Sequence, residues 1–235
     1  MKLLEDGLKQ LAAADKAASF INDRFDEITG ALQLYINEIE RFNSAYGLVK
    51  ADSREILIVK HILDSLAPLG HIADLLHINS DAVSGKTLAD VGSGAGLPGI
   101  PLAICLQTIH IALIERMGRR AGFLRNTIAV LASAFSGLDL LRITVEEKEW
   151  EGSPNQFDCI VLRALHPLDS NFAAKLARLL APGGAIAAYK GRHQTAQTEL
   201  DSLHGQSGLT GFTTELIPIT VPFLNEERCL AVIRH

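Results

Sequence analysis

The stretch LADVGSGAGLPGIPLAI, residues 88–104, carries two overlapping glycine patterns. Counted from Gly94 it spells G-x-G-x-x-G through Gly96 and Gly99, the pattern of a dinucleotide site. Counted from Gly92 it spells D-x-G-x-G-x-G, with Asp90 at the end of an apolar run. Both patterns use one device: a strand ends, glycines permit a tight turn, and a ligand lies against exposed backbone at the carboxyl edge of a sheet. The two ligands differ in charge. A dinucleotide brings an anionic pyrophosphate that wants free N–H groups at a helix N-terminus. Asp90 opposes such a ligand, and Pro98 inside the loop has no N–H to offer. S-adenosyl-L-methionine carries a sulfonium and an ammonium and no phosphate, so an acid beside the turn favours it. The cofactor expected here is therefore S-adenosyl-L-methionine. Gly94 and Gly96 supply the turn, and Gly99 serves helix packing.

The texture of the chain on either side agrees with such a turn. Up to about residue 80 the pattern is helical, with Ile28, Leu32, Tyr35, Ile36, Ile39 and Phe42 recurring at three- and four-residue steps. A second amphipathic run covers Ile56–Leu69. After Gly85, short apolar runs alternate with longer helical ones: TLADV (87–91), HIALIE (110–115), LRITV (141–145), FDCIVL (157–162) and AIAAYK (185–190). Helices are expected between them, near 99–106, 118–134, 168–180 and 193–203. This alternation indicates an α/β fold with a mostly parallel sheet covered on both faces. TTELIPITV and CLAVIRH follow with only a turn-like stretch between them, which predicts a C-terminal antiparallel hairpin. The organisation expected is a helical cap over residues 1–84 and a cofactor-binding core over 85–235.

At 235 residues and 48% hydrophobic, the chain can bury a large core. A formal charge of −5 excludes a generally basic surface, so positive charge for a nucleic acid would have to be local. The first residues, MKLLEDGLKQ, are too charged for a signal peptide, and no membrane span is expected. Cys105, Cys159 and Cys229 lie far apart in apolar runs, which predicts reduced, buried thiols, no metal site and a cytoplasmic protein.

Methyl transfer to a pyrimidine carbon normally needs a cysteine nucleophile, and no Pro-Cys pair occurs. Exocyclic amines are commonly handled by an Asn/Asp-Pro-Pro-aromatic stretch after the fourth strand. LRALHPL (162–168) stands there, with Arg163 and His166. What remains are acceptors that are already nucleophilic, such as a ring nitrogen, for which positioning suffices. Cations gather near the expected carboxyl edge: Arg116, Arg119, Arg120 and Arg125 after the second strand, Arg163 after the fourth, Lys190 and Arg192 after the fifth. This points to a phosphate-bearing substrate. Glu115, closing the second strand, suits ribose hydroxyls. His61 and Asp64 lie three apart in KHILDSL (60–66), a spacing that reads by default as capping or packing.

These segments together resemble a known family. DVGSGAGLPGIPLAI, RFNSAYGL (41–48), KHILDSL, GRRAGFLR (118–125), LRAL (162–165), YKG (189–191) and ERCLAVI (227–233) occur in the order and spacing of the RsmG (GidB) family. That family consists of bacterial methyltransferases acting on guanine N7 of 16S ribosomal RNA. The resemblance runs from about residue 25 to the C-terminus. It implies a class I S-adenosylmethionine-dependent methyltransferase (Rossmann-like) sheet with an N-terminal helical cap. It places cofactor contacts on Gly92, Leu97, Val145, Glu146 and Arg163, beside Gly94 and Glu115 read from the turn and the strand end, and makes Lys190 and His61 candidates for positioning the substrate. The implied partner is 16S ribosomal RNA or the small subunit, met by a monomer. The chain departs from the family pattern at Gly47 and Val49 (usually Asn and Thr), at Thr144 (usually Arg) and at Cys229 (usually His). Those departures leave open a same-fold enzyme for another RNA site or a small molecule. An NAD(P)-dependent oxidoreductase and a non-catalytic ribosome-assembly factor are the more distant alternatives.

Overall fold

A computed structural model describes residues 2–14, 18–78, 85–150, 157–203 and 209–234. Seven strands form one sheet in the order β3-β2-β1-β4-β5-β7-β6. They are β1 (Thr87–Val91), β2 (His110–Ile114), β3 (Ile143–Glu146), β4 (Phe157–Arg163), β5 (Leu180–Lys190), β6 (Thr213–Ile219) and β7 (Arg228–Arg234). The first five run parallel, and β7 is antiparallel to both β5 and β6. The order reverses direction at β1–β4, the switch point beside which α/β sheets bind ligands.

Central strands buried on both faces should be almost wholly apolar, and four of the five residues of β1 are buried. Helix α7 (Gly99–Cys105) follows β1, α8 (Gly118–Ala134) follows β2, α9 (Ser170–Ala177) follows β4 and α10 (His193–Asp201) follows β5. Asp169 caps α9 by accepting from Phe172 N at 2.8 Å. Strand β5 begins earlier than AIAAYK predicts. Phe157 pairs with Leu180 but Cys159 with Ala185, so Ala181–Gly184 bulges out, with Gly183 at φ +77°.

The N-terminal part is helical, with α1 (Lys2–Ala14), α2 (Ala18–Asn22) and α3 (Phe25–Tyr46). The second amphipathic run is not one regular helix. It forms α4 (Arg54–Leu57), a π-helical segment Ile58–Leu63, α5 (Asp64–Leu66) and α6 (Leu69–Leu76). Arg54–Leu76 is long and apolar enough for a membrane span by composition, but two thirds of its most apolar stretch is buried inside this fold. Leu4, Ile28, Tyr35 and Leu63 of these helices share one hydrophobic cluster with Leu88, Ile111 and Val161 of the sheet. The expected boundary at 84–85 adjoins residues 79–84, which lie outside the described residues. Cys105, Cys159 and Cys229 are free and buried, as expected.

Candidate active site

The glycine turn is built by its own backbone and by two carboxylates. Gly92 and Ser93 donate to Ile114 O at 2.9 and 3.1 Å, which fastens the turn to the end of β2. Gly92, Gly94 and Gly96 have φ of +72°, +58° and +91°, the left-handed region that glycine enters without strain. Their tasks differ. A Cβ on Gly94 would meet only Gly92 O, at 3.8 Å. One on Gly96 would collide with Ile100 and Leu124. One on Gly92 would run into the side chain of Leu165, from the loop after β4. Gly99 is required by packing, since a Cβ there would lie 2.4 Å from Leu113 and 2.6 Å from Asp90 Oδ2.

Asp90 is buried and accepts from Gly99 N at 2.9 Å, so it holds the first turn of α7. Burial is the main influence on its carboxyl and raises the pKa to about 7; hydrogen bonds from Gly99 and Ser93 and the charge of Arg163 act in the opposite sense. Glu115, also buried, accepts from Gly94 N at 2.9 Å and from Met117 N at 2.8 Å. Each oxygen keeps a second lone pair, so the carboxylate that shapes the turn can still receive a hydroxyl.

The expected cofactor residues fall on neighbouring strand ends. Val91 pairs with Ile114, and Ile114 with Glu146, so β1, β2 and β3 end level with one another. Val145 and Glu146 are the last residues of β3. Val145 is partly buried, and Glu146 pairs with Lys148 at 2.6 Å. Leu97 is 6% exposed and belongs to the hydrophobic core, which leaves chiefly its backbone for a ligand. The turn therefore fits a cofactor without phosphate: the N–H groups of Gly92, Ser93, Gly94, Gly96 and Leu97 are already donated within the fold, and the carboxyls of Asp90 and Glu115 are bonded to its backbone.

Arg163, Lys190 and His61 stand apart from that turn, around a cavity of about 470 Å³ at the ends of β4 and β5 and the start of β7. Arg163 is enclosed by the helical segment. Its Nη1 reaches Asp64 Oδ2 at 3.2 Å, His61 O at 3.3 Å and Ser65 Oγ at 3.4 Å, and its Nη2 lies 3.1 Å from His61 Nδ1. A guanidinium only donates, so His61 Nδ1 is the acceptor and Nε2–H donates to Lys50 O at 3.2 Å. Burial, helped by the Arg163 charge, lowers the His61 pKa and keeps the ring neutral. Lys190 pairs with Glu199 at 2.5 Å, and the same carboxylate oxygen accepts from Leu168 N. Arg163 and Lys190, expected among the cations gathered for a phosphate-bearing substrate, are both held in ion pairs.

Two residues of this cavity carry more than their sequence context announces. Asp64 is 7% exposed and joins Arg163 to Arg228, whose Nε lies 2.9 Å from Asp64 Oδ1. KHILDSL shows the His61–Asp64 spacing, but no local pattern links Asp64 to a residue at the start of β7. Ala164, with φ +53°, is a non-glycine residue in the left-handed region and lines the same cavity. Of the more distal cations, Arg125 pairs with Glu147 at 2.8 Å and Arg116 approaches Glu149 at 3.6 Å. Gly47 ends α3 at φ +58°, a helix-end position that asparagine also tolerates, so replacing the family's Asn there preserves the backbone.

Comparison with known proteins agrees with this geometry. The family model "rRNA small subunit methyltransferase G" (GidB) matches residues 28–217. The chain belongs to that family. A Treponema pallidum protein called ribosomal RNA small subunit methyltransferase G is 35% identical, covering 98% of this chain and 92% of its own. Proteins of the same name from Treponema denticola and Xanthomonas euvesicatoria are 32% and 34% identical, covering 98% and 85% of this chain and 93% and 84% of their own. Among solved structures, the magnesium protoporphyrin IX methyltransferase of Synechocystis with bound S-adenosylmethionine superposes with TM-score 0.54 at 15% identity, over 83% of this chain and 90% of its own. A predicted O-methyltransferase from Agrobacterium tumefaciens gives 0.51 at 21%, over 74% and 78%. At those identities the structures establish the fold, a class I methyltransferase sheet. The cofactor of the GidB-family chain is S-adenosylmethionine.

Proposed function

We propose that this GidB-family protein methylates N7 of a guanine in 16S ribosomal RNA, with S-adenosylmethionine as donor. Small-subunit ribosomal RNA methylation follows from the family; the acceptor atom and the residue roles are our reading. The observation that carries it is the glycine turn after β1, whose backbone is held by the carboxyls of Glu115 at Gly94 N and Asp90 at Gly99 N. When bound, S-adenosylmethionine supplies an electrophilic methyl group on its sulfonium. Backbone at Gly92, Gly94 and Leu97 would hold its amino-acid end, Glu115 its ribose hydroxyls, and Val145 and Glu146 its adenine. Arg163 belongs to the wall between cofactor and acceptor. Guanine N7 brings its own lone pair and no proton to remove, so the chain has to position the base, without deprotonating it. This agrees with a cavity whose one histidine is neutral and hydrogen-bonded on both nitrogens. Lys190 and His61 then position the acceptor by holding the cavity wall. The reading extends to a cytoplasmic protein, which the free, buried cysteines favour, and to a monomer.

Calorimetry with S-adenosylmethionine and with NADH tests the cofactor half of the reading. Binding of the former alone is expected, and tight binding of NADH would overturn the reading. Labelled S-adenosylmethionine offered with RNA, small subunits or a metabolite pool tests the acceptor half. Label in RNA or subunits is expected, and label only in a metabolite would contradict it.

A further inference from the structure

The cavity at the ends of β4 and β5 and the start of β7 has an unusual charge arrangement. Each of the four cations lining it has a carboxylate partner: Lys60 with Glu226 and Lys190 with Glu199, both at 2.5 Å, and Arg163 and Arg228 with Asp64, at 3.2 and 2.9 Å. A phosphate would have to displace these carboxylates. A neutral heterocycle with donors and acceptors on its rim would not. The size fits too, since 470 Å³ lies within the roughly 300–1,000 Å³ of small-ligand sites. Pro68, Ile219 and Leu230 give it apolar walls.

We propose that this cavity receives the acceptor guanine and that Asp64, with Arg228 beside it, reads the edge of the base away from N7. The inference rests on the functional reading above and names the residues that select its base. Guanine presents two donors, N2–H and N1–H, next to the acceptor O6. A carboxylate beside a guanidinium offers two acceptors next to a donor, the complementary order. Each oxygen of Asp64 accepts one hydrogen bond from an arginine here and keeps a lone pair. Arg163 and Arg228 fix the carboxylate in orientation, so it need not reorganise when the base arrives. The Arg163–Asp64 pair also sits at the π-helical segment, and such irregular turns recur at functional sites. Reading the far edge leaves N7 clear.

The test uses full-length protein and small-subunit RNA carrying guanosine or inosine at the methylated position. Inosine keeps N7 and lacks the N2 amine. The wild type is expected to prefer guanosine about tenfold or more in kcat/KM, as one lost hydrogen bond to a charged group implies. Asp64→Asn should bring that ratio toward one, with S-adenosylmethionine affinity within about threefold of wild type. Ile219→Trp fills the cavity from the edge strand and leaves the ion pairs in place. It should raise KM for RNA about tenfold or more at unchanged cofactor affinity. A wild type indifferent to inosine, or an Ile219→Trp variant that methylates RNA normally, overturns the proposal. If Asp64→Asn binds RNA more tightly with a steeper salt dependence, the cavity is a phosphate site and the proposal fails. A wild type that binds the cofactor and labels no RNA overturns the functional reading itself, a result distinct from any variant's.

Discussion

Asp90 lies wholly inside the protein at the end of β1, and no protein donor reaches its Oδ1. Its carboxyl is raised from 3.8 to about 7, mainly by burial. A carboxyl raised on folding keeps its proton longer in the native state, so its stabilising effect is complete below about pH 4 and is lost as pH rises to 7. Asp90→Asn should therefore leave urea stability unchanged near pH 4 and raise it at pH 8, on the order of 2–4 kcal/mol. At pH 8, where the carboxyl is ionised, the same change removes a negative charge near the turn and should weaken S-adenosylmethionine binding about tenfold. Equal stability of variant and wild type at pH 8 would show that Asp90 is not strained by its burial. Gly92→Val acts differently. A valine there meets Leu165 and must adopt φ +72°, so cofactor binding should vanish and stability should fall by about 1–3 kcal/mol. Calorimetry and thermal melting separate the two effects. Intact affinity would remove Gly92 from the cofactor path.

The elements show what periodicity can and cannot convey. TLADV, bounded by Gly85 and Gly92, was legible as β1 to the residue, because a short apolar run between glycines has few other readings. Gly99 was legible as a packing glycine from its place behind Pro98. The π-helical segment was not, since Ile58, Ile62 and Leu66 are also spaced as in an ordinary helix. The early start of β5 was hidden because Pro182-Gly183-Gly184 reads as a turn, and the fold uses it as a bulge. The candidate residues were legible, but their partners were not. Asp64 and Arg228 meet only because β7 runs antiparallel beside β5, under the cap helices. Arg163 is the latch between sheet and cap, and Tyr189 adds a hydrogen bond from its hydroxyl to Ser65 O at 2.9 Å. Arg163→Met should cost about 2–4 kcal/mol, less than a fully orphaned buried charge because Arg228 still pairs with Asp64. Hydrogen exchange should rise first over residues 58–66 while β1 and β2 stay protected. A uniform rise would refute the latch.

On the scale of the whole molecule, helical cap and sheet share one hydrophobic cluster, so the two regions legible in composition are joined in packing. The net charge of −5 and the paired cations of the cavity place sequence reading in the base pocket and leave RNA affinity to exposed residues such as Arg119 and Arg192. The glycine turn follows β1 and is fastened to the end of β2, the cavity lies at β4, β5 and β7, and β1 and β4 are neighbours at the switch point of the sheet. In our proposal the turn holds the methyl donor and the cavity the base, and the reaction is methyl transfer to a positioned base. The direct test is nucleoside mass spectrometry of 16S RNA from small subunits lacking this modification, after incubation with the protein and S-adenosylmethionine. One new 7-methylguanosine per subunit RNA is expected. Methylation on any other base, or a methyl group on guanine at an atom other than N7, would contradict it.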